Sequence, residues 1–129
     1  GVDIYAYEGT PHVAPVAGEV IESQWSEASG WRVVIEDRKG YRHVMVHLHR
    51  RSLVSEGSTV HSGQPVGEVG RSGNASGGGP HLHYEIRKDG KPIDPMPWLR
   101  NTGDHNVERA PDALHTRAAS SLASCAARD

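Results

Sequence analysis

The sequence predicts an all-β fold built on an antiparallel sheet, and three observations predict it. Turn signals recur at short intervals: Glu8-Gly9-Thr10-Pro11, Ala17-Gly18, Ala28-Ser29-Gly30, Lys39-Gly40, Glu56-Gly57, Ser62-Gly63 and Asp89-Gly90-Lys91-Pro92. The segments between them are short and rich in valine and isoleucine, which suit a pleated, half-buried surface. No apolar repeat of helical period persists before about residue 108.

The elements follow in order. Gly1-Val2-Asp3-Ile4 alternates, so Val2 and Ile4 face a core and Asp3 faces the other way. Val13 to Ala14 and Glu19 to Trp25 are short strands. Trp31 to Glu36 and Tyr41 to Leu48 flank Asp37-Arg38-Lys39-Gly40, which reads as a hairpin. Thr59 to Val60, Pro65 to Val69 and His81 to Lys88 complete the strand set. Arg71 to Pro80 is a Gly/Ser loop that delivers the last of these strands to an open site. Ile93 to Leu99 closes the domain. Pro95 and Pro97 there block a ladder or a helix, while Trp98 and Leu99 pack back on the sheet. Residues 1–99 form the domain. Residues 100–129, polar and then rich in Ala, Ser and Arg, read as a disordered or marginally helical tail.

Composition excludes several classes. A chain of 129 residues accommodates one domain. A formal net charge of −2 argues against a nucleic-acid surface. No apolar run approaches the roughly 20 residues of a membrane span. Cys125 is the only cysteine and forms no internal disulfide. The excess is histidine, nine in all, and it directs attention to metal or proton-transfer chemistry.

His81 and His83 lie one residue apart on a strand and project to one face. Such a pair can ligate a metal, or one ring can ligate while the other moves protons. Asp3 is either a solvated strand-end carboxylate or a metal-ligating oxygen. His43, His47 and His49 have the same parity and are expected to share a face, with His47 where its strand emerges from the core. Taken alone, each also reads as a half-exposed strand histidine. Val54 to Gly70 is architecture, with glycines at turns and valines toward the core, and His61 within it is solvated.

Together these pieces resemble the lysostaphin-type (LytM-type) zinc metallopeptidases, peptidoglycan endopeptidases of bacteria and phages. The resemblance runs from Gly1 to about Leu99. It is carried by Gly1-Val2-Asp3-Ile4, by Gly9-Thr10-Pro11 with Ala14 to Val20, by Val46-His47-Leu48, by the Val54–Gly70 scaffold and by Gly79-Pro80-His81-Leu82-His83-Tyr84-Glu85. It implies an antiparallel core of the duplicated hybrid-motif type with a loop-walled groove. It implies Asp3 and His83 as zinc ligands and His47 and His81 as catalytic histidines beside the metal. The family's remaining ligand is a histidine two positions before Gly1, outside this sequence. Met45 stands where the family usually has Tyr, and Tyr84 where Phe is commoner.

The implied chemistry is hydrolysis of cross-links or stem peptides of peptidoglycan, with a zinc-bound water as nucleophile. One of His47 and His81 moves the proton and the other stabilises the oxyanion; which does which stays open. Activity falls below about pH 6, because ligation and base work need neutral imidazole. The groove walls are expected from Arg71 to Gly79 and from Gln24 to Gly30. The resemblance also implies an extracytoplasmic or phage-particle location and a monomer whose partners are peptidoglycan peptides. The alternative is a catalytically degenerate member that binds cell wall or activates a hydrolase. Nothing in the spacing supports His12 or His43 as substitute ligands. A biotinyl or lipoyl carrier barrel shares the glycine–valine scaffold, but its Met-Lys hairpin is missing: the lysines are Lys39, Lys88 and Lys91.

Overall fold

The computed structural model describes residues 1–73, 79–99 and the backbone of 107–109. The strands are β1 (Val2–Tyr5), β2 (Pro11–Val13), β3 (Gly18–Ser26), β4 (Gly30–Glu36), β5 (Arg42–Leu48), β6 (Thr59–Val60), β7 (Pro65–Glu68), β8 (His81–Lys88), β9 (Lys91–Ile93) and β10 (Val107–Arg109). One turn of helix, α1 (Met96–Leu99), lies between β9 and β10. The main sheet runs β10-β1-β8-β5-β4-β3-β6, with β9 on the end of β8, and β2 pairs with β7 separately. All these pairings are antiparallel. The expected all-β class and strand set are therefore present, with boundaries moved by a residue or two.

The sheet forms where the alternation is cleanest. On β8, Leu82, Tyr84 and Ile86 are buried while His81, His83 and Glu85 face a groove. Val2 and Ile4 of β1, Val33 and Ile35 of β4, and Met45 of β5 meet them in the core. Each large apolar side chain so buried contributes about 1.5–3 kcal/mol relative to exposure. The Asp37–Gly40 hairpin is as expected: Gly40 takes φ +83° and Asp37 Oδ1 accepts the backbone N–H of Lys39 and of Tyr41.

Two expectations need correction. Pro97 does not block a helix but lies inside α1. A proline in the first turn has no N–H to miss, and Asp94 Oδ1 accepts the Met96 N–H at 3.1 Å to cap the turn. Leu99 is then buried and Trp98 packs on Tyr41 and His43. His43, His47 and His49 do not share a face: His43 is buried, His47 reaches the groove and His49 pairs with Glu8 on the surface. In the tail, Val107–Arg109 pairs with β1 as a strand. The rest of the expectation for 100–129 lies outside the described residues.

Two buried histidines behave oppositely. His43 accepts the Tyr84 hydroxyl at Nδ1 (2.7 Å) and gives its Nε2–H to Asp37 (3.0 Å), because a carboxylate only accepts. His12, paired with Gly67, has no hydrogen-bond partner for either nitrogen among the described residues. A Cβ at Gly67 would lie 2.5 Å from His12 Nε2, so glycine there makes room for the ring. Burial pushes the His12 pKa down to about 3, only partly opposed by Glu68.

Tyr84→Phe leaves the His43 nitrogen without its donor and is expected to cost about 1–3 kcal/mol in urea unfolding. His12 stays neutral in the fold while the unfolded chain protonates near 6.5. The unfolded state therefore binds the extra proton between pH 6.5 and 3, and stability falls as pH drops through that window. The loss is up to about 1.4 kcal/mol per pH unit, and His12→Leu should flatten it in acid-dependent unfolding curves.

Candidate active site

Three strands bring the expected residues together. In the β1–β8 register Asp3 lies opposite His83 and Tyr5 opposite His81. In the β5–β8 register Val46 lies opposite His83, so the next residue, His47, arrives beside His81 and His83. The His47 ring lies 5.4 Å from that of His81 and 6.2 Å from that of His83, centroid to centroid. Of these residues His47 and His83 line an open groove of about 450 Å³. Val34, Val44 and Val46 form its apolar floor, and Ala28 and Ser29 of the β3–β4 turn line its edge. Of the expected walls, the Ala28–Ser29 portion is in place; residues 74–78 lie outside the described residues.

The hydrogen bonds assign nitrogens. His83 Nδ1 is 2.7 Å from Asp3 Oδ1 and His83 Nε2 is 3.0 Å from Glu85 Oε1. Glu85 Oε2 in turn accepts from the Arg87 guanidinium. His47 donates Nδ1–H to the Ser72 carbonyl at 2.7 Å, and His81 donates Nδ1–H to the Gly79 carbonyl at 2.9 Å. Both rings, when neutral, therefore carry their lone pair on Nε2. His81 Nε2 comes within 3.9 Å of Asp3 Oδ1, and the Tyr5 ring packs on His81 at 5.4 Å.

Charge follows from these contacts. Burial pushes the Asp3 carboxyl up, but the His83 hydrogen bond and the surrounding histidines outweigh it and hold it below its ordinary value. Burial pushes His83 down, and bonds to Asp3 and Glu85 outweigh that too, raising it to about 9. Glu85 falls to about 2, chiefly through its bond to His83. His47 is pushed below its ordinary value by burial, despite the Ser72 carbonyl, and the neighbouring histidines add to the depression.

Asp3 and His83 suit a metal in kind. A carboxylate oxygen and an imidazole nitrogen point at each other, sharing a proton where a cation would compete, and the far nitrogen is backed by a carboxylate, as metal-bound histidines usually are. Among the described residues no cluster of three or more such side chains is arranged to hold a metal. Asp3 and His83 are the two candidate donors that the β1–β8 register brings together. His12 and His43 are in the core and do not join them.

Residues 1–95 match peptidase family M23. The chain belongs to this family. The M23 domain is 41% identical over 99 residues to the murein hydrolase activator EnvC of Escherichia coli, covering 77% of this chain and 23% of that protein. It is 36% identical over 110 residues to the L-Ala–D-Glu endopeptidase of Bacillus subtilis, covering 78% and 34%. The catalytic domain of lysostaphin from Staphylococcus simulans superposes with TM-score 0.70 at 31% identity, covering 78% of this chain and 77% of that domain. The chain thus spans 23% and 34% of the length of these two curated relatives.

Sequence reasoning assigned no role to Glu85, Arg87 or Ser72. The signal for Glu85 was available: it continues the two-residue period of His81 and His83 on the same face. Ser72 left no such signal, since its contacts come from two distant segments, at Gly30–Trp31 and His47–Leu48. In the metal-free chain, Asp3→Asn should lower the His83 pKa by about one unit or more, read by NMR titration, because it removes the opposite charge.

Proposed function

We propose that this M23 domain is a zinc-dependent endopeptidase acting on peptide bonds of bacterial peptidoglycan. The observation that carries this reading is the convergence of Asp3, His47, His81 and His83 beside an open groove that His47 and His83 line. Asp3 and His83 hold the zinc, with Glu85 orienting His83 from behind. When bound, zinc supplies a Lewis acid at the scissile carbonyl. With Nδ1 of each bound to a backbone carbonyl, His47 and His81 keep Nε2 available for proton transfer. One takes the proton from the attacking water and returns it to the leaving amine; the other hydrogen-bonds the developing oxyanion. The depressed pKa of His47 suits it to the neutral, proton-accepting role. The valine floor beside them accommodates a peptide in extended form.

The substrate places the domain outside the cytoplasm, or on a phage particle. Among the described residues no helix is long and apolar enough to cross a membrane. The domain acts as a monomer in this reading.

A second reading has one specific observation in its favour, the 41% identity to a protein named as an activator. There the groove binds cell-wall peptide or a hydrolase without turnover. Incubation with purified peptidoglycan, followed by analysis of released muropeptides and new amino termini, separates the two. Hydrolysis should be abolished by a chelator and restored by zinc, and His81→Ala should lower it by about 10²–10⁴-fold. Retention of peptidoglycan with no new amino termini, zinc present, would establish the second reading instead.

A further inference from the structure

His47 would face the wrong way on a regular strand. Along β5 the odd positions His43 and Met45 are buried, while Arg42 and Val44 face the groove. Continued alternation would send His47 into the core. Its φ of +67° reverses it into the groove, a left-handed conformation that side-chain-bearing residues rarely adopt. Something must hold it there.

Ser72 is in the position to do so. Its carbonyl receives His47 Nδ1–H at 2.7 Å. Its hydroxyl donates to the Leu48 carbonyl at 2.5 Å, one residue beyond His47, and accepts the Trp31 N–H at 3.1 Å. The His47 N–H itself goes to the Ser29 carbonyl at 2.8 Å. The segments are interlocked by shape as well. Gly30 takes φ +63°, and a Cβ there would lie 2.5 Å from Cβ of Ser72; a Cβ on Gly73 would lie 2.6 Å from the Ser29 carbonyl carbon. The turn after β3, the end of β5 and the loop after β7 therefore meet at one serine.

We propose that Ser72 is a positioning residue for His47. It holds the left-handed backbone and selects the Nδ1–H tautomer, so that Nε2 presents its lone pair to the groove. The consequence for catalysis rests on the reading of His47 as a catalytic histidine; the geometry does not.

The test is ¹⁵N NMR of the imidazoles in the whole metal-free chain at pH ~8, where His47, held below its ordinary value, is neutral. The His47 signals are identified by their loss in His47→Gln. In the native chain Nδ1 should carry the proton. Ser72→Ala keeps the carbonyl that receives Nδ1–H but removes the hydroxyl bonds that anchor it to Leu48 and Trp31, and should lower the ratio of Nδ1–H to Nε2–H by up to about tenfold as that carbonyl shifts. Ser72→Thr keeps the hydroxyl and should restore the native ratio. Ser23→Ala, which removes a serine contact to Ser52 away from His47, should leave it unchanged. On peptidoglycan, Ser72→Ala should lower kcat with KM held.

An unaltered ratio in Ser72→Ala overturns the positioning role, as does an equal change in Ser23→Ala. Should Ser72→Ala fail to fold, a native chain protonated at Nε2, or a shifted ratio in folded Ser72→Thr, overturns it alone. A tautomer shift in a chain that never cleaves peptidoglycan supports the positioning role and removes the endopeptidase reading.

Discussion

β8 is gripped on both sides, by β1 from Val2↔Tyr84 to Tyr5↔His81 and by β5 from Arg42↔Arg87 to Val46↔His83. A slip of one residue would turn Leu82, Tyr84 and Ile86 to water and drive His81, His83 and Glu85 into the core. The apolar burial on one face therefore enforces the polar geometry on the other. Asp3 meets His83 because Val2 and Ile4 must be inside, and no separate force is needed to bring the two together.

The groove face is electrostatically ordered by that same period. Arg87, Glu85, His83 and Asp3 form a line of alternating sign, each holding the next by a hydrogen bond. Such a line stiffens His83 without a rigid loop, and its far end lies on the surface, where a guanidinium stays hydrated. Behind the sheet, Asp37, His43 and Tyr84 form a second line, in which the partly exposed Asp37 carboxylate reaches in to the buried His43 and Tyr84. Tyr84 belongs to this second line and sits between His83 and Glu85 of the first. β8 is thereby tied on both faces.

His12 is the exception to this economy of polar groups. It is buried without a partner among the described residues, and Gly67 opens the space it fills. A buried neutral imidazole of this kind weakens the fold in acid and gives nothing to the groove.

The sequence by itself determined the antiparallel class, the hairpin at Asp37–Gly40, the core positions Val2, Ile4, Val60, Val66 and Val69, and the sharing of one face by His81 and His83. All of these follow from a period of two and from turn chemistry, which are local. Asp3 and His83 were legible as candidates for the same reason, each being the polar member of an apolar alternation. Only the tertiary structure decided that they meet, because β1 and β8 are 80 residues apart in the chain. Only it decided that His47 leaves the face shared by His43 and Met45. That reversal depends on a left-handed backbone held by Ser72 and Ser29, which no strand period encodes. Proline at 97 misled for a related reason: its effect depends on whether it falls in the first turn of a helix, and Asp94 and the packing of Leu99 set where that turn begins.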